Sequence, residues 1–145
     1  MNLKIRNARI EDMLTVYEQI NDLEEKVLNM NSFQKKFKAN IFNKNIIYLV
    51  AVSSNKEKIG FISCHIQDLL HHDKRVAEIQ ELYVDKKFRK LGAGSLLVKS
   101  LINKLKTKNC ESLEVTAQNK RRKTHQFYSK IGFQQSHLKF IQKIG

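Results

Sequence analysis

A strand-like run that closes at Val84 passes into an amphipathic helix through Asp85-Lys-Lys-Phe-Arg89-Lys-Leu-Gly92-Ala-Gly94, and no other stretch constrains the fold as much. Val76 to Val84 has the β-branched, apolar character of a strand. Beyond the glycines, Leu96, Leu97, Leu101, Ile102 and Leu105 recur at helical spacing, with Lys99, Asn103 and Lys106 on the opposite side. A helix that follows a strand so closely must pack back on the sheet that the strand belongs to. The expectation is therefore a sheet flanked by helices.

The rest of the chain extends this pattern. Leu3, Ile5 and Ala8 sketch a first strand. From Glu11-Asp12 onward Met13, Val16, Tyr17, Ile20, Leu23 and Val27 follow helical spacing, and Phe33, Phe37 and Ile41 mark a second helix. Ile46–Val52 reads as a buried strand, and the polar stretch Ser53–Lys58 reads as a turn into a strand over Ile59–Ile66. Ser112–Ala117 is another strand, Thr124–Ile131 a short helix stopped by Gly132, and Phe133–Ile144 supplies a final strand or two. With no proline, linker or repeat, residues 1–145 read as one mixed α/β (α+β) domain. It should hold a mostly antiparallel sheet of six to seven strands and about four helices.

Composition bounds the partners. The formal charge of +13 at pH 7 suits anionic ligands, yet the lysines are spread along the whole chain. No run is long and apolar enough for a membrane helix, and the start lacks the pattern of a secretory signal. Cys64 and Cys110 have neither metal-ligand spacing nor the density of a disulfide scaffold, so a reducing cytoplasm is expected. No recognition-helix, zinc or aromatic RNA-binding pattern supports a nucleic-acid-binding module.

The chemistry concentrates around the glycine turn. Gly92 and Gly94 let the backbone approach a ligand with no Cβ in the way. The helix start beside them offers free N–H groups and the positive end of its dipole, which suit a pyrophosphate. Lys86, Lys87, Arg89 and Lys90 add positive charge. About 35 residues on, His125-Gln-Phe127-Tyr128-Ser-Lys-Ile-Gly132-Phe133 supplies a second aromatic and glycine pattern.

Arg89-x-x-Gly92-x-Gly94 followed at this distance by Phe-Tyr-x-x-x-Gly-Phe resembles the GNAT acetyltransferase superfamily, over essentially the whole chain and in the same element order. The resemblance implies transfer of acetyl from acetyl-coenzyme A to an amine. It places the cofactor's pyrophosphate on Arg89, Lys90, Leu91, Gly92, Ala93, Gly94 and Ser95, and its pantetheine arm along the backbone of Leu82, Tyr83 and Val84. Phe127 and Asn119 complete this set. Many family members carry an asparagine where this chain has Arg121, and Asn119 lies nearby but out of register. Tyr128 matches the family's general acid, and Glu78 matches the base of the histone-type branch, acting directly or through water. Simple strand alternation puts Glu78, Gln80, Leu82 and Val84 on one face and Glu81 on the other.

Within the superfamily, His65-x-Gln67, Leu70-His71-His72, Glu78–Leu82 and Gln135-Ser136-His137 resemble the aminoalkylphosphonate N-acetyltransferases. The acceptor implied is a small amine bearing a phosphonate, contacted by His65, Gln80, Ser136 and His137. His71 and His72 are the expected ligands of an assisting divalent metal ion, although Leu69 stands where that family has a further histidine. A polyamine, an aminoglycoside or a protein amine are the alternative acceptors. With 14 carboxylates against 27 Lys and Arg, an acidic pocket for a polyamine is the less natural expectation. The assembly is left open, with room for a homodimer.

Overall fold

The computed structural model describes residues 2–145. The elements are β1 (Leu3–Asn7), a 3-10 turn over Ile10–Asp12, α1 (Met13–Glu24), α2 (Met30–Asn40), β2 (Ile46–Ser53), β3 (Lys58–Gln67) and β4 (Arg75–Val84). A second 3-10 stretch, Lys86–Leu91, leads to α3 (Ala93–Leu105), β5 (Cys110–Val115) and α4 (Arg122–Lys130). The sheet has five strands in the order β1-β2-β3-β4-β5. The first four are antiparallel neighbours, and β5 runs parallel to β4.

The expected six to seven strands are thus corrected to five. Phe133–Gly145 forms no regular structure, and Leu138, Phe140, Ile141 and Ile144 in it are exposed. Alternating apolar residues give a segment local strand character, but a ladder needs a partner edge, which is not a local property. The first helix is also shorter than its apolar spacing suggests. Glu25 adopts the left-handed conformation at φ 55°, the chain leaves the helix there, and Val27 lies outside it, exposed.

Helices cover both faces of the sheet. On one face α3 lays Leu97, Val98, Leu101 and Leu105 against Leu49, Ala51, Ile62, Cys64, Ala77 and Ile79. On the other, Val16 and Ile20 of α1 and Phe37 of α2 meet Val50 and Phe61. An aromatic chain continues that second core, from Tyr17 through Phe33, Phe37 and Tyr48 to Phe61, with successive centroids 5.2, 6.2, 5.4 and 5.3 Å apart.

One fully buried charge fixes where α1 enters. Asp12 accepts from Arg6 at 2.8 and 3.0 Å, from the Arg9 amide at 2.7 Å, and lies 2.7 Å from the Lys58 ammonium. The carboxylate therefore ties β1 and the β2–β3 hairpin to the start of α1. Burial alone would raise its pKa, but the bonds from Arg6, Lys58 and the Arg9 amide outweigh that and hold it well below the usual carboxylate range. Its contribution to stability is present above the unfolded value of about pH 3.9 and is lost as pH falls below it. Asp12→Asn should cost about 2 kcal/mol or more at neutral pH, because two cations lose their partner in a partly buried site. Urea titrations as a function of pH check this. The gap between wild type and Asp12→Asn should narrow as pH drops below about 4, and a constant gap would show that the charge of Asp12 is not what stabilises.

Candidate functional site

The site begins where two strands part. β5 pairs with β4 from Arg75↔Cys110 to Ile79↔Val115 and then ends. β4 continues to Val84, paired on its other side with Gly60 of β3. Beyond Ile79, the edge of β4 that faced β5 therefore runs free, with the backbone groups of Leu82, Tyr83 and Val84 along it. Such an edge is a ready partner for an extended, amide-bearing chain. Two contacts secure this stretch. The Tyr83 hydroxyl donates to Asp22 of α1 at 2.7 Å, and Arg89 Nε donates to the Val84 carbonyl at 2.7 Å.

The glycine turn closes the end of that edge. Asp85 caps the 3-10 stretch by accepting from the Lys87 amide at 3.0 Å. Gly92 sits at φ 81°, ψ 12°, the left-handed region, between that stretch and α3. There an L side chain is strained by about 1–2 kcal/mol. At Gly94 the constraint is space, since a Cβ would stand 3.2 and 3.3 Å from two ring carbons of Phe127. This contact brings the two halves of the sequence pattern together. α3 thus begins on glycine with its first N–H groups unbonded in the helix, beside Arg89 and Lys90. Arg89, Lys90, Leu91 and Ser95 are exposed at this turn, while Ala93 and Gly94 are buried beneath it.

On α4, Tyr128 is buried, with ring centroids 5.1 Å from Phe127 and 5.3 Å from Phe133. Burial pushes its phenol up to about 12, so the hydroxyl keeps its proton throughout the neutral range. Its hydroxyl makes no hydrogen bond to a protein group among the described residues, although the ring is enclosed. Asn119 is exposed in the turn before α4. Arg121, in the asparagine position, reaches the Leu23 carbonyl at 3.5 Å.

The register of β4 corrects one expectation from simple alternation. His65 pairs with Glu78 and Cys64 with Ile79, but Ser63 pairs with Glu81, so Gln80 is an extra residue in the ladder. Such a bulge reverses the alternation across it. Glu78 and Glu81 consequently share the face that carries α1 and α2, whereas Leu82 and Val84 point to the α3 side. Glu81, which alternation directs to the opposite side from Glu78, is half-buried and bonded through its carboxylate to the buried Ser63 hydroxyl. Ser63 Oγ also accepts from the Glu81 amide at 2.9 Å. Glu78 stands where β4 and β5 part, with Thr116 Oγ1 at 3.3 Å from its carboxylate.

Above Glu81 lies a cavity of about 480 Å³ between α2 and the sheet. Its floor includes Tyr48, His65, Gln80 and Glu81, and its roof is the Phe33–Phe37 side of α2. The Tyr48 hydroxyl accepts from Asn40 at 2.8 Å, and burial raises its pKa. Two expected site residues, His65 and Gln80, are therefore brought to this cavity. Ser136 and His137 are not. They are exposed on the C-terminal segment and bonded to each other at 2.6 Å, because no strand forms there to carry them inward.

The two expected metal ligands are not among the residues that line this cavity. His71 and His72 lie with ring centroids 4.3 Å apart on the β3–β4 connection, and His72 is 3.3 Å from Glu111. The connection leaves the end of the sheet, so this pair does not converge with His65. Among the described residues, no group of three or more His, Cys, Asp or Glu side chains is arranged to hold a metal ion.

Residues 10–133 match the family model described as Acetyltransferase (GNAT) family. Over 141 residues the chain is 35% identical to the aminoalkylphosphonate N-acetyltransferase of Salmonella typhimurium, covering 97% of this chain and 91% of that one. Among solved structures, a transcriptional regulator from Bacillus halodurans superposes with a TM-score of 0.89 at 22% identity, over 99% of this chain and 100% of that one. AAC(6')-Iy, solved in complex with the bisubstrate analogue CoA-S-monomethyl-acetylneamine, superposes with a TM-score of 0.87 at 14% identity, over 100% of both chains.

The packing around Tyr128 makes a prediction independent of turnover. The ultraviolet phenolate signal lost on Tyr128→Phe should be absent below about pH 10 and should emerge only toward the value of about 12 that burial sets. A Tyr128 phenolate near neutral pH would show that the ring is far wetter than its packing indicates.

Proposed function

The chain belongs to the acetyltransferase (GNAT) family, and we propose that its acceptor is a small primary amine carrying a phosphonate group. As a member it transfers acetyl from acetyl-coenzyme A to an amine, and the thioester supplies the activated acyl group. The observation that carries the acceptor reading is the 35% identity, over nearly the full length, to an aminoalkylphosphonate N-acetyltransferase. The cavity beside the free edge of β4 is of a size for such a molecule.

The residues divide the work as follows. The Gly92–Ser95 turn and the start of α3 receive the pyrophosphate, with Arg89 and Lys90 adding charge, and the free edge of β4 at Leu82, Tyr83 and Val84 pairs with the pantetheine arm. Phe127 backs this turn through its contact with Gly94. Asn119 flanks it on the loop before α4. An amine held in the cavity meets Glu81 on its floor, and Glu78 lies on the same face of β4, paired with the lining residue His65, near where β4 and β5 part. One of these carboxylates takes the proton from the ammonium, and the freed amine attacks the thioester carbonyl. A backbone N–H near Leu82 stabilises the oxyanion. When the tetrahedral centre collapses, the C–S bond breaks, Tyr128 gives its proton to the departing thiolate, and the proton that the acylated nitrogen sheds restores the phenol.

The two carboxylates are separable by mutation. Whichever is the base, its change to Gln should lower turnover most below the amine's pKa, where the substrate arrives as ammonium. The other change should have a weaker, pH-independent effect. Tyr128→Phe should lower kcat by about 10²-fold or more, with little change in the KM for acetyl-coenzyme A. Gly92→Val should do the reverse, raising that KM by about 10-fold, equivalent to about 1.4 kcal/mol. Full turnover in Tyr128→Phe, or an unchanged KM in a folded Gly92→Val, would remove the respective role.

The cellular setting proposed is the cytoplasm. Cys64 and Cys110 are free, and burial pushes the Cys64 thiol up to about 12, which leaves it inert. No helix among the described residues is long and apolar enough to cross a membrane. The rival reading, a basic nucleic-acid-binding module, would gain if the protein bound DNA tightly at ordinary salt without releasing thiol from acetyl-coenzyme A.

A further inference from the structure

Every third or fourth residue of α2 on the cavity side is polar: Asn29, Ser32, Lys36 and Asn40 line the roof beside Phe33 and Phe37. Three of these four are neutral. Across the whole cavity lining the ionisable groups of ordinary charge are Lys36, His65 and Glu81, one side chain from each of three elements. Glu81 belongs to the sheet and is held by Ser63, so it marks the end of the cavity next to the free edge of β4. Lys36 belongs to the helix on the opposite wall. The lining is therefore polarised, with the carboxylate residue Glu81 on the sheet and the exposed Lys36 on the helix opposite.

Lys36 has no partner of its own. Among the described residues the ion pairs are Arg6–Asp12, Lys58–Asp12 and His72–Glu111, and Lys36 is in none of them. It makes no hydrogen bond to a protein acceptor either. A transferable amine must present its nitrogen to Glu81 and to the thioester, which leaves the remainder of the acceptor pointing toward α2. We infer that Lys36 is the residue that selects an anionic acceptor, its ammonium pairing with the phosphonate while the amine faces Glu81. This rests on the acceptor reading above and goes beyond it, by assigning the choice of charge to one side chain on α2.

Lysine suits this task. It is a compact point charge on a flexible stem, so it can follow an anion at the open rim of a cavity without a fixed geometry. Lys36 is exposed, and pairing at such a position weakens as salt rises, since ions screen charges that solvent reaches.

The test is a ratio of specificities. kcat/KM is measured for 2-aminoethylphosphonate, for propylamine as a neutral acceptor and for diaminopropane as a cationic one, at low and high salt. Wild type should prefer the phosphonate, less strongly at high salt. Lys36→Met should reduce the phosphonate-to-propylamine ratio by about 10-fold, equivalent to about 1.4 kcal/mol. Lys36→Arg should restore most of it, and Lys36→Glu should shift preference toward diaminopropane. A wild-type preference that survives intact in Lys36→Met would overturn the role of Lys36 and leave the acceptor reading standing. No preference for the phosphonate in wild type would overturn both.

Discussion

The arrangement of this molecule depends on one unequal pairing. β4 pairs with β3 from Val76 to Val84, interrupted only at the Gln80 bulge, but with β5 only as far as Ile79↔Val115. A strand fully paired on both sides has no backbone groups to offer, and an edge strand offers them to any passing chain. Here the free half-edge lies inside the protein's own architecture, flanked by the glycine turn and by α4. The free edge is thus confined to the short stretch of β4 beyond Ile79.

Around that edge the two faces of the sheet take different tasks. The α3 face is a core made largely of aliphatic side chains, with Tyr128 among them, and it fixes the helix start at Gly92 relative to the end of β4. The α1–α2 face is built from aromatic rings and carries the cavity, so its polar atoms sit among groups that enforce their orientation. Asp12 anchors this second layer, because its three partners come from β1, the loop before α1 and β3. Tyr83 adds a second tie, from β4 itself to Asp22 on α1. α2, the roof of the cavity, is held by its aromatic packing and by the Asn40–Tyr48 bond.

Charge reads differently once it is placed. A balance of +13 says nothing about where an anion goes, and most of the lysines are on solvated faces. What matters is local. Arg89 and Lys90 adjoin a helix start that already favours negative charge, whereas Lys36 faces a cavity whose floor holds a carboxylate. The first arrangement suits a pyrophosphate, and the second suits a molecule of two opposite charges.

Much of this was legible in the chain itself. The glycine turn, the helix after it and the Phe127-Tyr128 pattern are local features, written in backbone freedom and in 3.6-residue periodicity, and they carried the family. The apolar runs of β2, β3 and β4 likewise declared themselves. Three things were decided only by tertiary structure. The bulge at Gln80 depends on how β3 and β4 align, and it moves Glu81 onto the same face as Glu78. Lys36 gains meaning only when α2 is laid across the sheet opposite Glu81, some 45 residues away in the chain. The C-terminal segment, strand-like in its alternation, finds no edge to pair with. In each case the sequence specifies what a residue prefers locally, while register, facing walls and available partners are properties of segments far apart in the chain, which meet only when the sheet forms.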